Sequence, residues 1–318
     1  MHGWTPGSVM IEKVHRPVEA SIEGLDSKSL SFRSQTGRAF KNLVNNKPAL
    51  LGAIVLFLII GTGIFSPLVA PYSPYEQHLG EVRKPPMTFL EGSGRLAILG
   101  TDHVGRDVLS RIIYAARVTL IVAFFAVIIS GLIGLFIGVI AGYVGGWVDT
   151  FFMRLVDIVL AFPFVLLALS VVAVTGPGLG IIILVMSLRI WVIYARIVRG
   201  TTLSIKEKEF VQAAEALGAT QRWIMFRHIL PNVLTPVIVI ATLYVGRMIL
   251  IESALSFLGV GVPPPTPTWG GILGDGRAYI DTAWWIALFP GLAIMITVLG
   301  VNLVGDWLRD YLDPRIRL

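Results

Sequence analysis

The stretch Val118-Thr-Leu-Ile-Val-Ala-Phe-Phe-Ala-Val-Ile-Ile-Ser-Gly-Leu-Ile-Gly-Leu-Phe-Ile-Gly-Val-Ile-Ala-Gly142 contains no charged side chain. An α-helix needs about 20 apolar residues to cross the roughly 30 Å hydrocarbon core of a bilayer. In lipid, the backbone N–H and C=O groups can be satisfied only within a helix or between the strands of a closed barrel. The alternating pattern of a barrel strand is absent from this stretch. The stretch therefore predicts a transmembrane helix.

Five other segments have the same character. The chain has 318 residues, of which 55% are hydrophobic and 14% charged, against about 25% charged in an average soluble domain. Its mean hydropathy is +0.76. This composition argues against a single soluble globular enzyme and rules out intrinsic disorder. We therefore predict an all-α membrane protein with six transmembrane helices, at 49–70, 118–142, 151–174, 179–199, 233–258 and 284–305.

The distribution of basic residues predicts the orientation. Residues 1–47 are polar and basic, and the first apolar run begins only near Pro48, too far along the chain for a cleavable signal peptide. Most Lys and Arg residues fall on the side of this tail, which places both termini in the cytoplasm. The net charge of +6 then reflects basic loops and not nucleic-acid binding. The stretch 38–47 forms either a short interfacial helix or the end of a disordered basic tail.

This topology divides the chain into a cytoplasmic tail, 1–47, and a membrane domain, 48–318. The membrane domain has two outer loops, 71–117 and 259–283, and a cytoplasmic loop, 200–232. In the second span, Gly134, Gly138 and Gly142 recur every four residues and share one helix face, where another helix can approach closely. The third span contains Pro163, which can bend it. These features predict a packed helical bundle.

Catalytic and metal-binding patterns are missing from the sequence. The chain has no cysteine, and no two of its five histidines are spaced i,i+4, so a metal site is poorly supported. It also lacks the phosphate-binding pattern Gly-x-x-x-x-Gly-Lys-Ser/Thr and the hydrolase patterns His-Glu-x-x-His and Gly-x-Ser-x-Gly. We predict no catalytic residue, no metal and no cofactor in this chain.

Charged residues inside the predicted spans are candidate functional residues, because a charge in lipid is costly. Arg154 and Asp157 are spaced i,i+3 near a span end and can pair with each other. Arg189 is near the middle of the fourth span. Arg247 and Glu252 in the fifth span are five residues apart and do not share a face. Each of these last three either pairs across helices or lines a pathway.

The cytoplasmic loop, 200–232, contains a predicted amphipathic helix. Residues 206–217 are strong helix formers, and Gly218 is a suitable residue just after a helix end. A second helical piece, 221–229, is predicted to end at Leu230-Pro231. The first helix lies either on the bilayer or its own bundle, or docks into another protein. Its apolar stripe, at i, i+3, i+4 and i+7, consists of Phe210, Ala213, Ala214 and Leu217, with Glu209, Gln212 and Glu215 largely off it.

The spacing of this loop resembles the EAA loop of ATP-binding-cassette importer permeases. That pattern is Glu-Ala-Ala, three residues, Gly, then nine residues to an Ile-x-Leu-Pro ending. The chain matches it at Ala213-Ala214, Gly218 and Leu230-Pro231. It departs at Gln212, which replaces the Glu and puts a salt bridge from that position in doubt, and at His228, which replaces the Ile.

Further stretches resemble the C-type subunit of the dipeptide, oligopeptide and nickel branch of these permeases. The resemblance runs from about residue 38 to the end of the chain. It is carried, in order, by Leu99-Gly-Thr-Asp-His-Val-Gly-Arg-Asp-Val-Leu-Ser-Arg111, Gly142-Tyr-Val-Gly-Gly-Trp-Val-Asp149, Met153-Arg-Leu-Val-Asp-Ile-Val-Leu-Ala-Phe-Pro163, Leu255-Ser-Phe-Leu-Gly-Val-Gly-Val-Pro-Pro-Pro-Thr-Pro267, Leu288-Phe-Pro-Gly-Leu292 and Asn302-Leu-Val-Gly-Asp306.

This resemblance implies a type I importer permease fold in a bacterial or archaeal cytoplasmic membrane. The chain would be a permease subunit, not itself an enzyme, and would form half of the pathway for dipeptides or oligopeptides. Its implied partners are a second, homologous permease, two ATPases that use ATP and Mg²⁺, an extracytoplasmic binding protein and the lipid bilayer, with no nucleic acid. The residues implied in ATPase coupling are Glu209, Phe210, Gln212, Ala213, Ala214, Glu215, Leu217, Gly218 and Ala219.

The resemblance leaves several alternatives open. The same family includes importers of nickel and of glutathione-like solutes. A secondary transporter independent of ATP is a less favoured alternative, because no repeat is evident between the two halves of the chain. In the outer loop, the stretch Thr101-Asp-His-Val104 and the clustered charges Asp102, Arg106 and Asp107 are interpreted in two ways. They are either a helix cap with salt bridges within the loop or a contact surface for the binding protein.

Overall fold

The computed structural model describes residues 41–312. Residues 41–45 are helical, while most of the predicted tail, and with it the start of the predicted interfacial helix, lies outside the described residues. In chain order the helices are α1 (Lys47–Ile64), α2 (Ser66–Val69), α3 (Val108–Val144), α4 (Gly146–Ala161), α5 (Phe164–Thr175), α6 (Leu179–Lys206), α7 (Glu209–Ala216), α8 (Gln221–Ile224), α9 (Leu230–Phe257), α10 (Trp269–Gly276) and α11 (Trp285–Leu312).

Shorter elements complete the described chain. A π-helical turn, Met225–Ile229, joins α8 to α9 without a break, and 3₁₀ turns occupy Leu79–Glu81 and Arg277–Tyr279. Between α2 and α3, strands β1 (Thr88–Leu90) and β2 (Arg95–Ala97) form an antiparallel hairpin. The prediction of a helical membrane protein is confirmed. The short hairpin lies in the predicted outer loop, between α2 and α3.

Five helical stretches are long and apolar enough to cross a membrane, and a bent pair supplies a sixth span if its two helices are counted as one. The five stretches are Lys47–Ile64, Val108–Val144, Leu179–Lys206, Gln221–Phe257 and Trp285–Leu312, and the bent pair is α4 with α5. Several of them are longer than the predicted spans. The helices therefore extend into the loops predicted at 71–117 and 200–232.

The third predicted span, 151–174, is not one straight helix. The chain bends by 89° between α4 and α5. Pro163 has no N–H to continue the helix, and the residue before a proline is pushed out of the helical region. Phe162 accordingly has an extended ψ of 131°. The break therefore falls at Pro163, the residue that was predicted to be able to bend the third span.

The helical piece predicted at 221–229 does not end at Leu230-Pro231, so this predicted helix end is wrong. The N–H of Leu230 donates to the carbonyl of Met225, five residues back, which is the bonding of a π-helix. This wider turn leads directly into α9, and Pro231 falls in its first turn. The helix therefore continues through this proline, although proline has no N–H to donate to the preceding turn.

The packing of α3 on α6 forms much of the core. A Cβ added at Gly138 would lie 2.7 Å from the carbonyl oxygen of Ala195, and one at Gly142 would lie 2.9 Å from the carbonyl oxygen of Arg199. A Cβ added at Gly134 would lie 2.6 Å from the carbonyl oxygen of Trp191. The two backbones therefore approach as closely as the small-residue face predicted.

Candidate functional site

Helix α7 is a separate short helix between two membrane-spanning ones. The predicted helix-forming run begins earlier, but Lys206 ends α6, and the chain is non-helical at Glu207 and Lys208. Helix α7 then starts with Glu209 in its first turn, where a carboxylate stabilises the positive end of the helix dipole.

Gly218 ends α7 as predicted. Its φ is +80°, a conformation that side chains other than Gly rarely adopt. Its N–H donates to the carbonyl of Glu215 over 2.9 Å, and the N–H of Ala219 donates to the carbonyl of Ala214 over 3.0 Å. These two bonds form a Schellman motif, so the last carbonyls of α7 are satisfied as the chain turns.

The predicted apolar stripe of α7 faces mainly away from the protein. Val211, which the stripe did not include, is fully buried and attaches the helix to the body. Phe210 is 46% exposed and Leu217 is 89% exposed, and Ala213 is exposed as well. Large apolar side chains left open on a short polar loop are typical of a surface that another protein covers.

Tyr143 at the end of α3 is bonded both to α7 and to the end of α6. The hydroxyl of Tyr143, which is buried near the C-terminal end of α3, donates to Oε1 of Glu215 over 3.2 Å. Nζ of Lys206 donates to the carbonyl oxygen of Tyr143 over 3.0 Å and lies 5.3 Å from the centre of its ring. Tyr143 and Lys206 were missed in the sequence, because nothing local links them to Glu215.

His228 and Gln212, the two departures from the EAA pattern, each contact neighbouring residues. The ring of His228 lies 4.9 Å from that of Trp223 and 5.7 Å from that of Phe210, measured between centroids. It therefore packs α7 against the π-helical turn. Gln212 is exposed, and its Nε2 donates to the carbonyl of Glu207 over 3.4 Å.

The predicted pair of Arg154 and Asp157 is wrong. Asp157 instead pairs with Arg196 of α6, with Oδ1 2.5 Å from Nη2. Arg199 of α6 makes a second bridge to α4, through two bonds to Asp149. The neighbouring helix offers guanidinium groups to both carboxylates, and this contact between helices replaces the pairing along one helix.

The other charges in the spans have different surroundings. Arg247 is exposed, with its guanidinium 5.5 Å from the ring centre of Tyr244. Nη1 of Arg189 is buried and has no hydrogen-bond partner among residues 41–312. Glu252 is fully buried and accepts bonds from the hydroxyls of Ser256 and Thr119. Glu252 thus bonds to neutral groups, and pathway lining by any of the three stays a prediction.

The candidate contact residues of the outer loop are buried. Asp102 is fully buried, and Arg106 and Asp107 are each less than 10% exposed. Oδ2 of Asp102 lies 2.6 Å from Nε of Arg106, and Asp107 caps α3 by accepting from the N–H of Ser110 over 2.8 Å. This burial fits the interpretation of a helix cap with ion pairs inside the loop. It leaves these side chains little surface for a binding protein.

The surroundings of Asp102 and Asp107 shift the pKa values of their carboxyl groups in opposite directions. Burial by itself raises the pKa of Asp102, but the charges of Arg111 and Arg106 and two backbone N–H bonds outweigh it, and the pKa falls below its ordinary value. Burial raises the pKa of Asp107, and the bonds from Ser110 offset this only in part.

Comparison with known proteins agrees with this arrangement. Residues 134–318 match the family described as "Binding-protein-dependent transport system inner membrane component". Residues 34–86 match the "N-terminal TM domain of oligopeptide transport permease C". The two matches together cover the first helix and the entire second half of the chain, including α7.

Individual relatives cover most of this chain. It is 41% identical to the di/tripeptide transport system permease protein DppC of Pseudomonas aeruginosa, over 91% of this chain and 95% of the relative. It is 44% identical to the dipeptide transport system permease protein DppC of Alkalihalophilus pseudofirmus, over 88% and 90%. It is also 40% identical to the glutathione transport system permease protein GsiD of Escherichia coli, over 85% and 87%.

Proposed function

The chain belongs to the family of binding-protein-dependent transport system inner membrane components, and on that premise we propose that it carries dipeptides through the membrane under the control of α7. It is a multi-pass permease subunit of an ABC importer, and in this family partner subunits carry the ATPase activity. The partners we propose are a second permease of similar fold, two ATPases that use ATP and Mg²⁺, and an external binding protein.

The exposed apolar face of α7 is the observation that carries this proposal. Three of the four residues of the predicted stripe, Phe210, Ala213 and Leu217, are exposed, and the fourth, Ala214, is half-buried. An amphipathic helix of this spacing suits a groove in a partner protein. We assign the ATPase as that partner, because α7 contains the stretch that resembles the EAA loop.

The contacts of α7 supply a route for coupling. When the ATPases close on ATP, the groove displaces α7, and Val211 and the bond between Glu215 and Tyr143 transmit the displacement to the end of α3. Because α3 packs against α6 along the glycine face, the two helices move together. This movement would switch the pathway between its two openings.

Replacing Leu217 tests the docking face. We expect Leu217→Asp to lose copurification of the ATPases, since a carboxylate in an apolar groove costs at least about 2 kcal/mol, or roughly thirtyfold in affinity. Leu79→Asp is the matched control, because Leu79 is 75% exposed and lies before β1, remote from α7. Undiminished ATPase binding by Leu217→Asp would contradict the assignment.

Dipeptides are proposed as the substrate on the basis of the relatives named above, and glutathione is the second candidate because GsiD is 40% identical. Uptake of a labelled dipeptide and of labelled glutathione is to be compared in proteoliposomes that contain the whole complex and its binding protein. We expect ATP-dependent uptake of the dipeptide. Uptake of glutathione alone would favour the second candidate.

A further inference from the structure

A cavity of about 460 Å³ opens at the end of α3 that is remote from α7. Its walls come from the segment before α3, from the ends of α9 and α10, and from the loop between these two helices. Pro264 and Pro265 at its rim are exposed, whereas Ser256 and Thr268 in its depth are buried. This volume is within the range of small-molecule sites, roughly 300–1,000 Å³.

Two arginines of this cavity, Arg106 and Arg111, make short ion pairs with one aspartate and longer ones with another. Oδ2 of the buried Asp102 lies 2.6 Å from Nε of Arg106 and 2.5 Å from Nη1 of Arg111. The Nη2 atoms of both arginines share one oxygen, Oδ2 of Asp275, at the longer distances of 3.5 and 3.2 Å. Good charge-assisted bonds are about 2.7–2.9 Å long. The outer guanidinium edges are therefore available to a better-placed anion.

Two buried nitrogen atoms of residues that line the cavity have no hydrogen-bond partner among residues 41–312. They are Nε of Arg111 and Nδ1 of His103. The imidazole is held by stacking on Tyr279, with 5.8 Å between the ring centroids and 12° between the planes. Buried polar atoms without partners are rare in native proteins and call for a ligand, an ion or a water molecule.

The balance of charge indicates the kind of ligand. Two arginines face two aspartates, so the cluster as a whole is neutral and does not attract a simple anion by its field. A zwitterion satisfies both signs. The charged ends of an extended dipeptide are at most about 7 Å apart, a length that a cavity of this volume accommodates.

We propose that this cavity is an entry subsite for the free ends of a small peptide, an inference that rests on the proposed function. The α-carboxylate binds the outer edges of the Arg106 and Arg111 guanidinium groups and takes the place of Asp275 there. The side chain of Asp275 is 35% exposed and free to turn outward. Its carboxylate then accepts hydrogen bonds from the peptide ammonium group.

The test measures binding to the complete permease and ATPase complex in nanodiscs, without the binding protein. Labelled dialanine is the probe, and dialanine amide and N-acetyl-dialanine are the competitors. We expect dialanine to bind saturably and each competitor to bind about tenfold more weakly, the effect of one lost charge-assisted interaction. Equal competition by all three compounds, or no saturable binding, would overturn the subsite.

Variants separate the two ends of the ligand. Arg106→Gln is expected to weaken dialanine binding about tenfold, and Arg277→Gln, an exposed residue beside α10, is its control. Within residues 41–312, the carboxylate of Asp275 makes two long contacts with arginines, so Asp275→Asn should preserve the fold better than Arg106→Gln. It should abolish the discrimination between dialanine and N-acetyl-dialanine while the exposed Asp281→Asn preserves it. Unchanged discrimination in Asp275→Asn would overturn the role of Asp275.

Uptake by the same complex with its binding protein distinguishes this inference from the proposed function. ATP-driven uptake of dialanine without saturable binding to the complex would overturn the subsite alone. Saturable binding that depends on the carboxylate, with no uptake of any peptide, would support the subsite and contradict dipeptide import.

Discussion

The two carboxylate oxygens of Asp102 accept four hydrogen bonds. Oδ1 accepts from the N–H groups of Val104 and Arg106, and Oδ2 accepts from the guanidinium groups of Arg106 and Arg111. A carboxylate in this position holds the chain before α3 in a tight turn. It also supplies the closer of the two counter-charges of Arg106 and Arg111, whose contacts with Asp275 are longer.

We therefore expect Asp102→Asn to destabilise the segment before α3 by about 3 kcal/mol, since two buried guanidinium groups lose their close counter-charge and keep only the longer contacts with Asp275. Limited proteolysis of residues 71–107 in the purified complex measures this effect. Glu91→Gln is the control, because Glu91 is exposed in the hairpin turn. Equal proteolysis of both variants would contradict the role of Asp102.

Acid should release the same segment. Because the folded pKa of Asp102 is lowered, its contribution to stability is complete above its unfolded value of about 3.9 and is lost as pH falls through the folded value. Asp107, with a raised pKa, contributes with the opposite sign, losing stability as pH rises. Hydrogen exchange in residues 98–107 should therefore show an acid step below about pH 4 that is absent from Asp102→Asn. A step near neutral pH would argue against this assignment.

Sequence reasoning at single residues succeeded where the relevant contacts are local. The helix end at Gly218 depends on the bond from its N–H to the carbonyl of Glu215, three positions away. The partner of Asp157 was predicted wrongly, because Arg196 is 39 positions away and only the packing of α4 on α6 brings the two together.

At the scale of elements, the end of α7 allows a sharp test. Gly218 has a φ of +80° and donates its N–H to Glu215, and proline can neither adopt that φ nor donate that bond. We expect Gly218→Pro to remain in the membrane and hydrolyse ATP without uptake. Gly218→Asn, which tolerates a positive φ, should keep most of the uptake. Normal uptake in Gly218→Pro would refute the coupling role of this turn.

The face between α3 and α6 provides a second test. At Gly138 an added Cβ would lie 2.7 Å from both the Ala195 carbonyl oxygen and Cβ of Val198, whereas at Gly200 it would meet no atom within 4 Å. We expect Gly138→Ala to destabilise the subunit by about 1–3 kcal/mol through overpacking. Gly200→Ala, also in a helix, should be neutral or stabilising by up to about 1 kcal/mol. Thermal unfolding of the detergent-solubilised subunit measures both, and equal melting temperatures would contradict the close approach.

The pair α4 and α5 shows the limit of periodicity at this scale. Pro163 marks the position of the break in the sequence, because a proline lacks an N–H wherever it stands. The angle of 89° does not follow from the proline itself. The bridges from Asp149 and Asp157 to α6 show that α4 is joined to a helix distant in sequence, a contact that periodicity does not specify.

For the whole molecule, the number of crossings determines which termini share a side. If the bent pair is counted as one span, the chain crosses the membrane six times. Both termini are then on the same side, and the positive-inside rule predicts that this side is the cytoplasm. The absence of native cysteine allows single-cysteine labelling without background. We expect Ser8→Cys and Ser204→Cys to react with a membrane-impermeant maleimide only after the membrane is opened, and Ser73→Cys to react from outside. External labelling of Ser8→Cys would contradict this topology.

Properties that depend on one stretch of chain were determined by the sequence alone. The apolar runs identify the membrane helices, because hydrocarbon leaves the backbone few other ways to satisfy its hydrogen bonds. The glycines of α3 define a close-packing face, and Gly218 defines a helix end. The resemblance around the Ala213-Ala214 pair pointed to the family that the comparisons show.

Properties that join distant stretches were decided only by the tertiary structure. The side of α7 that is buried depends on Val211, and its connection to α3 depends on Tyr143, 72 positions before Glu215. The cavity joins Arg111 to Asp275, 164 positions away. Helical periodicity specifies which residues share a face, but the partner of that face is specified by how the helices pack, and no local pattern contains that information.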